Sequence, residues 1–490
     1  MRNLFLLILA GLVVFSQMLV TRGHGTAAAG PAVVYWVTDP NPARQEQISL
    51  FREWLKNRHE ADVEVRVDAV NSGGNKVVVQ GVSGIAGDMM DLGGAAIHRF
   101  QPMGILQDLG PVFAAAGLPA IGTFPALADE LTVDGRVWAT PCNVWVQLFI
   151  VNNAAFSSVG MAPPPARWTF ETFERLGKEF TTKANAGRKR REVFFASKID
   201  GVTLARSIGI PKYNETLTLP WADTNAIASL NRMIHKWTYV DHLVPSDAEK
   251  ASLSVEQGYG ESEFQLMHRG YYAMVYSGRH ALIQLRKMQP AIPLTAVESP
   301  HGGFPNVFIS ARSLAMYAGG RNQAKAGRFF AFLRSEEYSM HLVRDADGMP
   351  PNLDVLDRPE MLSPAGHTNE WDLHRAFVKL TRDAAIAQEI SPFHVGGNLR
   401  MKAMQAYMSG VGTAEGAAHD VYDGTVEEIE KYTGRTPERK RAYLAALAVQ
   451  KKIDALKARG EKIPIDWIAN PFLRAYYQAK GMTTAAVAGR

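Results

Sequence analysis

The stretch FQLMHRGYYAMVYSGRHAL, residues 264–282, is the best indicator of the fold of this 490-residue chain. Gly270 is placed where a helix would end, because glycine adopts a left-handed backbone at little cost. The apolar segment 273–276 is typical of a short buried strand, and two small residues then turn the chain into a new helix near Arg279. A strand that leads into a helix N-terminus is a common place to hold a polar ligand. No catalytic residue pattern accompanies it, so the stretch predicts binding rather than chemistry.

Upstream of this stretch, strands alternate with helices. Strands are predicted at 32–37, 63–68 and 88–92, because these segments are apolar or alternate between apolar and polar residues. A helix begins after Asn41, which is a good N-cap, and Pro42 suits its first position. This β-α-β-α-β order predicts a parallel sheet covered by helices.

The rest of the chain continues the α/β pattern and adds a helical tail. Residues 140–152 form a long apolar segment rich in β-branched side chains, which predicts a strand passing between two lobes. A strand at 304–309 and a helix ending near 333 follow the opening stretch. In the last part, 436–490, Thr436 is a predicted N-cap with a proline behind it. We expect this part to be an extra helix packed on the body of the protein.

The N-terminal residues are typical of an export signal. Arg2 provides the positive start, an almost unbroken apolar run spans 4–20, and small residues at 26–29 suit a signal peptidase. We therefore expect residues 1–29 to be a signal peptide and the protein to be periplasmic or otherwise extracytoplasmic. An uncleaved membrane anchor is the alternative, although the run is short for a membrane span. Cys142 is the only cysteine, so the chain cannot form an intrachain disulfide.

Several function classes find no support in the sequence. The net charge of +5 is small, and there is no basic stripe with interleaved aromatic residues, so we expect no nucleic-acid partner. The histidines lack zinc-binding spacing, and residues 345–348 lack the length of a calcium loop, so no cofactor is expected. Asp88 with Asp91 and Glu261 with Glu263 show no spacing that requires a glycosidase pair.

Four segments together resemble a known family. They are Tyr35-Trp36 at the end of the first strand, QGVSGIAGD at 80–88, VDGRVWATP at 133–141 with the strand that follows it, and residues 264–279. In this order they resemble the family 1 extracellular solute-binding proteins of ABC-type sugar importers. The resemblance covers roughly residues 30–340. The second segment departs from the family pattern, because a glycine replaces the usual proline before its aspartate.

The resemblance implies an α/β fold of the two-lobe periplasmic-binding-protein type (type II). Each lobe is a helix-covered, mainly parallel sheet, and hinge crossovers join the lobes. Lobe 1 would comprise 30–145 plus 277–333, lobe 2 would comprise 146–276 plus 334–435, and 436–490 would be a C-terminal helical extension. The implied function is to capture a sugar or oligosaccharide in the cleft and deliver it to the permease subunits of an importer, as a monomer that catalyses nothing. The chain has no Walker loop, so a partner ATPase would supply the energy.

Sugar sites combine aromatic faces with planar polar groups, and both occur at predicted strand ends. Some of the candidates have a structural alternative, such as a packed tryptophan or a helix cap. Arg279 stands where relatives carry an aromatic residue, which implies an acidic sugar or a salt bridge between the lobes. The sequence predicts that Arg279→Ala weakens binding without unfolding the protein. The candidate ligand-binding residues are Trp36, Asp39, Asn41, Asp88, Gly93, Gly94, Asn143, Trp145, Gln147, Trp221, Tyr276, Ser277, Gly278, Arg279, Phe304 and Asn306.

Two other functions fit the same sequence. The first is a ligand-sensing subunit that reports to a membrane receptor, with the same fold. The second is a secreted carbohydrate-active enzyme, which would turn over glycans where a binding protein would not.

Overall fold

A computed structural model describes residues 32–41, 43–69, 74–253, 261–394 and 398–485. The predicted signal segment and Pro42 lie outside these ranges. Within them, none of the helices combines the length and the apolar character that crossing a bilayer requires.

The described residues form thirteen strands and twenty α-helices. The strands are β1 (Ala32–Val37), β2 (Val63–Asp68), β3 (Met89–Leu92), β4 (Thr132–Val133), β5 (Arg136–Val137), β6 (Ala139–Asn152), β7 (Phe194–Ala196), β8 (Tyr272–Ser277), β9 (Leu294–Val297), β10 (Val307–Met316), β11 (Ala385–Ala387), β12 (Ile463–Pro464) and β13 (Thr483–Thr484). The helices are α1 (Ala43–Asn57), α2 (Gly74–Val82), α3 (Gly94–Phe100), α4 (Gly110–Ala115), α5 (Ala128–Leu131), α6 (Asn153–Ser158), α7 (Phe170–Ala184), α8 (Gly201–Ser207), α9 (Thr224–His235), α10 (Asp247–Ser252), α11 (Glu261–His268), α12 (Leu282–Leu285), α13 (Gln323–Leu333), α14 (Glu336–Asp345), α15 (Pro359–Leu362), α16 (Trp371–Ala384), α17 (Leu399–Met408), α18 (Ala414–Thr433), α19 (Pro437–Ala458) and α20 (Pro471–Ala479).

Two long strands, β6 and β10, carry one mixed sheet through the whole molecule. The strand order is β2-β1-β3-β10-β6-β8-β7, with β9 paired to β6 and β11 paired to β10. The β1, β2 and β3 strands are parallel, as the β-α-β-α-β order predicts. The first half of β6 pairs with β10, and its second half pairs with β8 and β9. The predicted crossover strand at 140–152 is thereby confirmed.

Two aromatic clusters lie beside these crossover strands, one in each lobe, and a third apolar core extends along both strands, from Val37 and Leu92 to Phe194 and Leu294. In lobe 1, Trp36 and Phe51 pack against Phe329 of α13, with ring centroids 5.1 and 5.0 Å apart. In lobe 2, Phe173 of α7 packs against Trp237, at 4.7 Å. Aromatic clusters of this kind bury large apolar areas and fix each lobe as a unit.

Helix α14 packs with lobe 1. Its Tyr338 and Leu342 are fully buried in the same core as β1 and α1. The Tyr338 hydroxyl also donates a hydrogen bond to the carbonyl oxygen of Cys142, at 2.9 Å. Helix α14 thus shares its core with β1 and α1.

The helix predicted after Thr436 is α19. Thr436 accepts a hydrogen bond from the Arg439 amide at the start of α19, and the helix stops just before Gly460. The extension is joined to lobe 2 through Glu215, whose buried carboxylate accepts hydrogen bonds from Lys457 and Tyr477, both at 2.7 Å. Because side chains of the extension form hydrogen bonds with a buried carboxylate of lobe 2, the extension is part of the folded body.

The extension also reaches lobe 1. Arg474 of α20 forms an ion pair with Asp129 of α5, with Nη2 and Oδ2 2.7 Å apart. The ring of Phe304, just before β10, packs against Phe472 and Tyr476 of the same helix. Helix α20 thus contacts lobe 1 and also the approach to a crossover strand.

Candidate functional site

Trp145 is an exposed aromatic residue in the middle of the crossover strand β6. It lies opposite Ser310 of β10 and is 44% exposed, whereas its strand neighbours Val144 and Val146 are buried. Its side chain is therefore open to contact from outside the protein. An indole face is suited to stack on the apolar side of a sugar ring.

Asn143 and Gln147 share the strand face with Trp145, because side chains alternate along a strand. Asn143 is buried, and its Nδ2 donates a hydrogen bond to the carbonyl oxygen of Asp347, at 2.9 Å. Its Oδ1 has no hydrogen-bond partner among the described residues. Gln147 is half-buried opposite Phe308. The predicted alternation thus places two polar groups beside the exposed indole.

A polar cluster, formed by Asp39, Arg44, Asn143 and Asp347, joins the end of β1 to β6. Arg44 Nε and Nη2 donate to the Asp39 carboxylate, at 2.9 and 3.0 Å. Its Nη1 donates to Asp347 Oδ2, at 3.1 Å. Burial raises the pKa of Asp39, but the hydrogen bond and charge of Arg44 outweigh it, so the pKa lies below its usual value. The cluster therefore holds fixed charges where the lobe 1 strand ends.

The turn after β8 adds His280 to this region. Ser277 ends the strand, and its Oγ lies 3.5 Å from Nε2 of His280. Burial lowers the pKa of His280, while the charge of Asp347 raises it and that of Lys198 lowers it. Charges from the polar cluster and from Lys198 therefore both act on His280. A Cβ at Gly278 would lie 3.1 Å from the carbonyl oxygen of Val146, so this glycine permits a close approach of two strands.

Arg279, the centre of the predicted site, is an interior structural residue. It is 1% exposed, and burial lowers its pKa to about 9. Its guanidinium donates to the carbonyl oxygens of Leu342, Val343 and Gly348, at 2.6 to 3.0 Å. These bonds hold the last turn of α14 and the backbone just after it. They give Arg279 a structural role, and the predicted contact with ligand has no support in this geometry.

Four other predicted residues are buried and form hydrogen bonds within the protein. Trp36 is fully buried and its Nε1 donates to Asp91 Oδ1, at 2.8 Å. Asp88 is buried and accepts hydrogen bonds from three backbone amides, one of them from Tyr35. Tyr276 is buried, with its hydroxyl 3.2 Å from Thr203 Oγ1. The fourth, Asn306, is buried, and its Nδ2 donates a hydrogen bond to the Thr203 carbonyl oxygen, at 3.2 Å, while its Oδ1 has no hydrogen-bond partner among the described residues.

The remaining predicted residues differ in how open they are. Asn41 accepts a hydrogen bond from the Ala43 amide and is half-buried. Gly93 is exposed, with space around its Cα, whereas a Cβ at Gly94 would lie within 3.0 Å of three side chains. Trp221 is half-buried with the Lys457 ammonium 5.7 Å from its ring centre. Phe304 packs on α20, as described above. Only Gly93 of this group keeps a free approach to a ligand.

A cavity of about 690 Å³ opens in lobe 2, between the α8–α9 region and the α17–α18 pair. This is within the usual range for small-molecule pockets. Polar groups stand at one side, among them Lys198, Asp200 and Arg400. The apolar side is formed by Ile227, Leu230, Ile234, Met401, Met404 and Met408. Lys198 lines this cavity, and its charge also acts on His280.

Most of this cavity was not predicted from the sequence. Its walls come from segments nearly 200 residues apart, and no local pattern joins them. One signal was present: Lys198 and Asp200 follow directly after β7, at the end of a strand. Asp200 also caps α8, accepting from the Thr203 amide at 2.9 Å.

The comparisons with known proteins agree with this architecture. The family model described as bacterial extracellular solute-binding protein matches residues 55–369. Since this is more than half of the chain, the protein belongs to that family of extracytoplasmic solute-binding proteins. A search of curated proteins found no significant match.

Solved structures with the same fold cover nearly the whole described body. An ABC substrate-binding protein from Listeria monocytogenes in complex with cycloalternan aligns with TM-score 0.68 and 18% identity, over 83% of this chain and 100% of that one. Maltose-bound MalE3 from T. maritima aligns with TM-score 0.64 and 14% identity, over 80% and 99%. The maltotriose-bound MalE domain from Bdellovibrio bacteriovorus aligns with TM-score 0.62 and 14% identity, over 81% and 100%. At this identity the likeness establishes the two-lobe α/β fold, as the sequence predicted.

Proposed function

We propose that this protein is an exported receptor that captures a sugar or oligosaccharide between its lobes and delivers it to an ABC importer. The observation that carries the proposal is Trp145, an exposed indole on a strand that runs through both lobes. Such a ring supplies the flat apolar surface that carbohydrate recognition needs. Stacking beside a hinge also lets binding influence how the lobes are arranged.

Polar groups around the indole would bind the sugar hydroxyls. Asn143 offers an unpaired Oδ1 acceptor, and Ser277 and His280 offer groups at the end of β8. Asp39 is partly open to solvent while Arg44 holds its carboxylate in place. Pre-positioned acceptors and donors of this kind lose little entropy when a ligand binds. The ligand would extend from Trp145 toward Lys198 and the lobe 2 cavity.

Delivery requires that the ligand change the balance between open and closed arrangements. A ligand shifts such an equilibrium only by its difference in affinity for the two states. A sugar that contacts both lobe 1 groups, such as Asp39, and lobe 2 groups, such as Lys198, meets this condition. Closure around β6 and β10 would then present the shape that permease subunits recognise. The sugar-bound relatives described above support this ligand class. We expect the receptor to be a monomer, and we expect that it does not turn over its ligand.

A thermal-shift screen tests the proposal directly. The mature chain is heated with mono- and oligosaccharides and, in parallel, with amino acids and phosphate esters. A ligand at a hundredfold excess over its dissociation constant should add about 2.7 kcal/mol of stability. Stabilisation by sugars alone supports the proposal. A response to amino acids or phosphate esters alone would overturn the ligand class, and any hydrolysis of the glycans would overturn the receptor role.

A further inference from the structure

Helices α1 and α14 bring three metal-ligating side chains together in lobe 1. Glu46 lies on α1, and His341 and Asp345 lie one turn apart on α14, so the two face the same side of that helix. One donor atom from each residue lies within 4.8 Å of the other two. We call these residues the Glu46–His341–Asp345 triad. None of them belongs to the ligand site proposed above.

His341 gives independent evidence that the triad is a site. The residue is only 2% exposed, yet its Nε2 has no hydrogen-bond partner among the described residues. Asp345 Oδ2 lies 3.0 Å from this nitrogen, without the alignment of a hydrogen bond. A buried imidazole nitrogen and a carboxylate oxygen this close together, without an aligned hydrogen bond, are suited to hold a cation between them. The lone pair of a neutral imidazole is the commonest protein ligand for transition metals.

The geometry and chemistry of the triad suit a divalent transition ion. Zinc binds imidazole nitrogen and carboxylate oxygen at about 2.0–2.2 Å, which places tetrahedral ligands about 3.4 Å apart. The donors lie within 4.8 Å of one another, so the side chains would have to close by up to about 1.4 Å to reach this spacing. Glu46 is exposed, so a water molecule can take the remaining coordination position. One nitrogen with two carboxylates favours zinc over calcium or magnesium, which prefer all-oxygen sites.

We propose that the Glu46–His341–Asp345 triad binds a zinc ion that ties α1 to α14. The tie has a consequence for the polar cluster. Arg44 lies two residues before Glu46, and Asp347 lies two residues after Asp345, and these two form an ion pair. A bound ion would therefore fix the position of Arg44 relative to Asp347. Zinc would stabilise lobe 1 and fix the wall of the ligand cleft.

Isothermal titration of untagged, EDTA-stripped mature protein with ZnCl₂ tests the proposal. We expect one ion per chain, and a melting temperature that rises with zinc but not with MgCl₂ or CaCl₂. Glu46→Gln should weaken zinc binding at least tenfold without loss of fold, because Glu46 is exposed. Glu53→Gln, an exposed position on the same helix, is the matched control and should bind as the wild type does.

A second variant addresses the buried ligand. His341→Ala should abolish zinc-dependent stabilisation even if its own melting temperature is lower, since the comparison is made with and without the ion. Absence of zinc binding by the wild type would overturn the proposal. So would zinc binding that both Glu46→Gln and His341→Ala leave unchanged. Neither outcome depends on sugar binding, which is measured separately.

Discussion

Replacing Arg279 with alanine should destabilise the protein strongly, because this arginine belongs to a buried polar network. Its Nε donates to His374 Nδ1, at 3.1 Å. His374 is neutral in this arrangement, so its Nε2–H faces Glu370 Oε2, at 3.2 Å. Arg286 closes the network by donating to Glu370, at 2.8 Å. Burial lowers the pKa of His374 to about 4; burial also opposes ionisation of Glu370, but its hydrogen bonds with His374 and Arg286 prevail and lower its pKa to about 2.

The magnitude follows from what the substitution leaves behind. Three buried carbonyl oxygens, those of Leu342, Val343 and Gly348, lose their donor, and so does His374. Removing one member of a buried charged network typically lowers the free energy of unfolding by about 3–5 kcal/mol, and we expect a loss of this size here. At about 2 °C per kcal/mol for a large domain, the melting temperature should fall by roughly 6–10 °C.

Calorimetry of Arg279→Ala, with Arg269→Ala as control, measures this loss. Arg269 is an exposed arginine in the same stretch, and its removal should change stability by less than about 0.5 kcal/mol. Sugar affinity of the folded Arg279→Ala protein should remain within about threefold of wild type, since the guanidinium contacts only protein groups. A normal melting temperature combined with a large loss of affinity would refute this reasoning and restore the ligand contact.

Three further changes have definite expected outcomes. Burial raises the pKa of Glu130 to about 7, above its value near 4.5 in an unfolded chain. The folded state therefore holds this proton more tightly, and the resulting stabilisation is complete below pH 4.5. It is lost as pH rises through 7, so the free energy of unfolding falls by about 3 kcal/mol. Glu130→Gln should therefore melt higher than wild type at pH 8 but alike at pH 4.5. Glu215→Ala removes the acceptor that holds the C-terminal extension, and should make the extension susceptible to limited proteolysis, whereas unchanged digestion would contradict this role. Gly94→Ala should cost about 1–3 kcal/mol in thermal unfolding by overpacking, while Gly93→Ala, where space is open, should cost far less; equal effects would count against the packing argument.

Local patterns predicted most of the elements. The strands at 32–37 and 63–68 have the predicted bounds, because alternating or apolar runs between turn residues define a strand without distant information. The long crossover strand at 139–152 was visible for the same reason. The C-terminal helix was marked by its Thr436 cap, a short-range interaction.

The candidate site was less predictable, because its residues are placed by distant parts of the chain. The pattern around Arg279 resembles a ligand shelf, yet its partners lie 63 to 95 residues further along. Asp347 joins the polar cluster through Arg44, across 303 residues. Trp145, by contrast, was predicted from polar residues that alternate along an apolar strand, and its side chain is exposed.

Tryptophan fluorescence during a sugar titration tests the central claim most directly. The best sugar from the screen is titrated into wild type, Trp145→Ala and Tyr35→Ala, the last being an aromatic control with 46% exposure in lobe 1. Stacking on an aromatic face contributes about 0.5–1.5 kcal/mol beyond the burial of apolar area. Because Trp145→Ala also loses that buried area, the variant should bind the sugar at least tenfold more weakly than the wild type. Its ligand-induced emission change should disappear, and Tyr35→Ala should behave as the wild type. Equal affinity and an equal emission change in Trp145→Ala would contradict sugar capture at the crossover strand.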